Sequence, residues 1–139
     1  MIQQILLNFI FNAAESMTQR KLVILATRPM DQLPAEVVLL PARAGAYVAI
    51  SVNDCGSGIP PEILPRIFEP FFTTKALSTR RGTGLGLSMV YELAKKMQAG
   101  LAVESVLGQG STFTLILTAR DLSSSKVGAD ELRPLPPML

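Results

Sequence analysis

Gly82-Thr83-Gly84-Leu85-Gly86-Leu87 is the stretch on which the reading turns, because three glycines at alternate positions run straight into an apolar-periodic segment. From about 85 to 98, Leu85, Met89, Leu93 and Met97 recur at helical spacing beside Val90 and Ala94, which predicts a helix with these residues inward. Gly100 is its expected terminator. A glycine loop opening a helix gathers free backbone N–H groups and the positive end of the helix dipole around one point, a cradle for phosphate. The spacing matches neither the Walker loop nor the dinucleotide fingerprint. Taken alone, the loop reads equally well as a tight turn.

Working back along the chain, Asp54-Cys55-Gly56-Ser57-Gly58-Ile59 closes a segment, Tyr47–Asn53, that alternates as a half-buried strand. A carboxylate there can accept from an exocyclic amine, and the glycines let backbone come close to a flat ring. An ordinary strand-to-turn aspartate is the plain alternative. Residues 2–17 predict a helix with Ile2, Ile5, Leu6, Phe9, Ala13 and Met17 on a buried face. Gln4, Asn8, Asn12 and Glu15 form a polar strip flanked by Leu7, Ile10 and Phe11, so the helix is expected to be internal. Asn12 can offer Mg²⁺ a neutral carbonyl oxygen, or simply bond within the core.

The remaining elements are strands at 21–27 and 36–40, with Pro29 and Pro34 framing a turn between them. A short helix over 61–67 and a hairpin of strands 101–106 and 111–118 around Gly108-Gln109-Gly110 complete the order. Residues 73–83 lack periodicity and read as a mobile loop. From 120 to 139 the serines, glycine and prolines read as a tail or linker. The 139 residues are one domain's worth, 48% hydrophobic and 17% charged, which suits a globular chain.

Composition also excludes. A formal charge of +2, with Arg80–Arg81 the only adjacent arginines, gives no nucleic-acid footprint. Apolar runs are too short to span a bilayer, and no signal peptide is visible; a cytoplasmic setting without direct membrane contact is expected. Cys55 is the only cysteine and there is no histidine, so disulfides, cysteine zinc sites and a histidine base or phosphoacceptor within the chain are ruled out.

Four motifs in this order, Asn8-x-x-x-Asn12-Ala13, Asp54-x-Gly56-x-Gly58-Ile59, Ile67-Phe68-Glu69-Pro70-Phe71-Phe72-Thr73-Thr74-Lys75 and Gly82 to Leu87, resemble the nucleotide-binding boxes of the sensor histidine kinase catalytic domain. That domain belongs to a superfamily shared with gyrase-type ATPases, and the wording of the boxes is closest to kinases of the nitrogen-regulation type. The resemblance covers residues 2 to about 118. It implies an α+β fold, a two-layer α/β sandwich whose mixed sheet of about five strands carries helices on one face. Residues 1–119 would be the ATP-binding catalytic domain, truncated before its first box.

Residue by residue, the resemblance makes Asn12 the Mg²⁺ ligand and Asp54 the reader of the adenine amine. Gly56, Gly58 and Ile59 would shape the base pocket, with Ser111 supporting it. Phe68, Phe71 and Phe72 would anchor a lid, or serve as core. Lys75 would reach the phosphates, or stand as an exposed lid lysine. Gly82, Thr83, Gly84, Leu85, Gly86 and Leu87 would wrap the triphosphate. Asn8 stands where gyrase-type ATPases carry a glutamate base, and an amide cannot serve as one, which favours phosphoryl transfer over hydrolysis. The implied partners are a histidine-bearing dimerisation hairpin and a response-regulator receiver domain; the parent could be soluble or the cytoplasmic part of a membrane-bound sensor. A gyrase-type ATPase and a nucleotide-sensing module without catalysis are the competing readings.

Overall fold

The computed structural model describes residues 1–18, 21–70 and 86–118. Two helices, α1 (Ile2–Ser16) and α2 (Gly86–Met97), and five strands make up these residues: β1 (Val23–Met30), β2 (Val37–Leu39), β3 (Tyr47–Asp54), β4 (Gly100–Val106) and β5 (Gly110–Thr118). A 3-10 turn at Leu64–Arg66 stands where a short helix is expected. The sheet order is β1-β3-β5-β4-β2. Every pairing is antiparallel, so the five strands are as expected while the sheet is not mixed.

Strand alternation sorts side chains onto two faces. Val52, Leu101, Val103, Phe113, Leu115 and Leu117 meet Ile5, Phe9 and Ala13 of α1 and Val90 and Ala94 of α2 in the main core. Both helices therefore lie on one face. Phe9 is fully buried and its ring meets Phe113 at 5.3 Å between centroids, tilted by 35°. On the other face Tyr47, Ala102 and Ile116 form a smaller cluster with Met30, Leu33 and Val37.

Several local expectations are corrected. β1 runs through Pro29, which pairs opposite Val48 instead of framing a turn. β1 is an edge strand with one neighbour, and an edge tolerates a residue lacking an N–H. In α1, Leu7 and Phe11 are exposed, so the helix buries one face and is not internal all round. In α2, Val90 and Ala94 are buried and Leu87, Leu93 and Met97 pack partly buried beside them, leaving Met89 exposed, because Met89 sits a full 100° off Val90. Gly100 does not end that helix. Gln98 does so in the left-handed conformation, φ 61°. Its N–H donates to Lys95 O at 3.0 Å and the N–H of Ala99 to Ala94 O at 2.9 Å, the bond pair of a Schellman cap. Gly100 instead opens β4, where a Cβ would press on Pro41 Cδ at 2.8 Å.

Among the described residues no helix is long and apolar enough to cross a membrane. The loop read as mobile, 73–83, and the tail at 120–139 lie outside the described residues.

Candidate functional site

The end of β3, the start of β5 and the last turn of α1 converge on a cleft of about 700 Å³. Asp54 stands at its head, on the helix-facing side of the sheet two residues after Val52. Its side chain is 4% exposed. Oδ1 accepts the N–H of Gly56 at 2.8 Å and the N–H of Ser111 at 3.2 Å. Bonds to a carboxylate are stronger than neutral ones, so one oxygen is pinned by both its own loop and the β4–β5 hairpin. Oδ2 makes no hydrogen bond among the described residues, and Asp54 lines the cleft.

The glycines around Asp54 are demanded by packing. A Cβ on Gly56 would collide with Ser16 Oγ and lie 2.7 Å from its carbonyl oxygen; the adjacent N–H of Ser57 donates to that same oxygen at 3.3 Å. Gly58 takes φ +75°, and a Cβ there would strike Val106 O. The loop is thus wedged between α1 and the hairpin, whose Gly108 N–H donates to Ser57 O at 2.7 Å. By sequence, Gly110 is one residue of a turn. It also sits against the Asp54 carbonyl, with φ +134° and no room for a side chain.

Asn12, near the end of α1, also lines the cleft. Its Nδ2 is buried without a hydrogen-bond partner among the described residues, an arrangement that costs about 1–3 kcal/mol. A donor held this way suits an incoming anion, while the amide oxygen beside it suits a hard cation. Among the described residues no three His, Cys, Asp or Glu side chains gather to hold a metal. Asn8, one turn earlier, donates through Nδ2 to Gln4 O at 3.0 Å. A Cβ on Gly86 would come within 3.0 Å of Asn8 Oδ1, so Asn8 abuts the N-terminus of α2 while Leu87 lines the cleft.

The floor and walls are apolar: Met17, Ile59, Ile63, Ile67, Leu87 and Phe113. Ile63 and Met17 were not foreseen as site residues, because apolar periodicity reads the same for core and cleft. Ser105 was also missed. Its Oγ accepts the Ile59 N–H at 2.7 Å, lies 2.8 Å from Ser111 Oγ and donates to Gly110 O at 3.2 Å. The available signal was a serine at an inward position of β4, after Leu101 and Val103. Phe68 packs on the core with its ring 6.1 Å from Tyr91. Phe71, Phe72, Lys75, Gly82, Thr83, Gly84 and Leu85 lie outside the described residues.

The model of the "Histidine kinase-, DNA gyrase B-, and HSP90-like ATPase" family matches residues 1–121. The sensor kinase CckA of Brucella abortus (strain 2308) is 39% identical over 116 residues, which are 83% of this chain and 12% of that protein. The sensor histidine kinase ZraS of Escherichia coli (strain K12) is 37% identical over 116 residues, 84% of this chain and 21% of its own length. The chain thus spans a small part of these relatives. Among solved structures, full-length ShkA in complex with AMPPNP aligns with a TM-score of 0.62 at 32% identity, covering 84% of this chain and 21% of that one. The mycobacterial sensor histidine kinase MprB aligns with a TM-score of 0.58 at 23% identity over 82% of this chain and 69% of its own, a likeness of fold alone.

Proposed function

This chain belongs to the family of histidine kinase-, DNA gyrase B- and HSP90-like ATPases, and we propose that within it the chain is the ATP-binding catalytic domain of a two-component sensor histidine kinase. The observation that carries the reading is Asp54, buried at the head of an apolar cleft with one oxygen pinned and the other making no hydrogen bond among the described residues. An adenine ring entering between Ile59, Ile67 and Phe113 would present its amine to Oδ2. Guanine would present an acceptor oxygen there and be repelled.

The amide oxygen of Asn12 would hold Mg²⁺ together with phosphate oxygens and water, and Nδ2 would find its acceptor on the triphosphate. When bound, that ion neutralises charge on the phosphates. Gly82 to Leu87 would wrap the triphosphate through main-chain N–H groups, with the positive end of the α2 dipole behind them, and Lys75 would reach the same oxygens. The γ-phosphoryl would pass to an imidazole nitrogen on a separate histidine-bearing dimerisation hairpin, leaving ADP, and onward to a response-regulator receiver domain in the cytoplasm. Catalysis on this account is positioning and electrostatics. Residues 1–119 would form the catalytic unit, with 120–139 a tail or linker.

Asn8 separates this reading from a hydrolase. Its amide cannot take a proton from water at neutral pH, and its Nδ2 is turned back to Gln4 O. Incubating the chain with radiolabelled ATP, alone and with its cognate hairpin, tests the proposal. Label on the hairpin histidine, with little phosphate released by the chain alone, is expected. Rapid release by the chain alone would favour a gyrase-type ATPase, and tight binding without transfer a nucleotide sensor.

A further inference from the structure

The face of the sheet turned away from the helices carries a second pocket, of about 90 Å³. Strand alternation keeps it apart from the cleft: Thr112 and Thr114 line the pocket, while Ser111 and Phe113, which alternate with them along β5, line the cleft. Ser51, Thr112 and Thr114 are half-buried and bring three hydroxyls to it, and Met30 and Pro34 add apolar surface. Three charged side chains complete the lining, Arg28, Glu36 and Glu104. All three are exposed, and none makes a side-chain hydrogen bond or ion pair among the described residues.

The sheet order keeps the two signs apart. Arg28 stands on β1 and Ser51 on β3; Thr112 and Thr114 follow on β5, and Glu104 on β4. Glu36 comes just before β2 and is tied to β4, its carbonyl accepting the Val103 N–H at 3.3 Å. Three strand spacings, about 14 Å at the backbone, separate Arg28 from Glu104. A cation thus enters the pocket from one end and two carboxylates from the other, with hydroxyls between them.

A ligand matching this order has an anionic and a cationic end on a short frame. Its carboxylate would accept from the Arg28 fork and from a Ser51 or Thr114 hydroxyl. A primary ammonium has three N–H donors. Glu104, Glu36 and the Thr112 hydroxyl would take them, since Thr112 Oγ1 accepts one bond from Asn53 Nδ2 at 2.7 Å and keeps a second lone pair. The pocket has room for about three water molecules, which limits the frame to the smallest amino acids. We propose that it binds an α-amino acid of the size of glycine or alanine, as the zwitterion and independently of the nucleotide cleft.

The test is an NMR titration of the whole isotope-labelled chain with L-alanine, with acetate and with methylamine, following the backbone amides of Ser51, Thr112 and Thr114. L-alanine should give saturable shifts with a roughly millimolar Kd. Acetate and methylamine, each keeping one charge, should bind about tenfold or more weaker. Arg28 and Glu104 are exposed, so Arg28→Gln and Glu104→Gln should keep the fold. Arg28→Gln should weaken L-alanine and acetate by about tenfold and spare methylamine. Glu104→Gln should weaken L-alanine and methylamine and spare acetate. Shifts that never saturate would reduce the three side chains to solvated surface charges and overturn the proposal. So would methylamine or acetate binding as tightly as L-alanine, which would make this a site for a simple ion, or unchanged L-alanine affinity in both variants.

Discussion

The backbone N–H of Ser111 donates to Oδ1 of Asp54 at 3.2 Å across 57 positions of sequence. The same oxygen takes the Gly56 N–H, so one half of the carboxylate is structural and the other half faces the cleft. Substitutions that distinguish the two halves should give different phenotypes. Asp54→Asn can keep an oxygen toward Gly56 and Ser111 while turning an amide NH₂ toward the ligand. Its melting temperature should stay close to wild type, and its ATP affinity should fall roughly tenfold to a hundredfold. Asp54→Ala should lose both stability and binding. Calorimetric titration and thermal melts of the two variants check this, and retained ATP binding by Asp54→Asn would count against it.

Gly110→Ala probes the same junction from the hairpin. The new methyl would collide with the Asp54 carbonyl, at a φ of +134° that side chains avoid. Strain of this kind costs on the order of 1–3 kcal/mol before the collision is added. The variant should unfold at clearly lower denaturant and lose ATP affinity, because the Ser111 N–H would be pushed off Asp54. Gly108→Ala, whose Cβ meets nothing within 4 Å although its φ is +84°, should pay the backbone strain yet keep ATP affinity.

Asn12→Ala should separate stability from binding in the opposite sense. The wild-type side chain buries an Nδ2 with no partner among the described residues, and deleting an unsatisfied donor is close to neutral or stabilising. Denaturant unfolding without nucleotide should show a change within about 1 kcal/mol. Binding of Mg-ATP should nonetheless fall steeply. Marked destabilisation with unchanged Mg-ATP affinity would instead make Asn12 a core residue.

Phe9→Ala removes a fully buried ring that packs on Phe113, itself a wall of the cleft. A loss of about 3–5 kcal/mol is expected from equilibrium unfolding. Phe9→Leu should lose less and keep the cleft closed at its back.

Fold and site were legible to different depths. Branched residues in alternation and the 3.6-residue spacing around Phe9 and Val90 placed the strands and both helices within a few residues. Pro29 misled because a proline reads as a turn until the strand holding it is known to be an edge. Gly100 misled for a related reason: glycine is the usual helix terminator, yet Gln98 takes the left-handed position and Gly100 is needed where β4 passes Pro41. The mixed sheet came with the family resemblance, whereas pairing direction is settled by register, which single strands do not carry. At the site, Asp54, Asn12, Ile59, Leu87 and Ser111 were named through the family resemblance of the motifs and do line one cleft. Ser105 and Gly110 were not, because what singles them out is contact with Ile59, Ser111 and Asp54 across the hairpin and loop.

The central claim is that the cleft headed by Asp54 takes adenine nucleotides, and calorimetric titration of this chain with Mg-ATP and Mg-GTP measures that directly. The account predicts saturable Mg-ATP binding with GTP weaker by about tenfold or more, since guanine puts an acceptor where Asp54 also accepts. Equal affinity for the two nucleotides, or no heat with Mg-ATP from a folded chain, would contradict it.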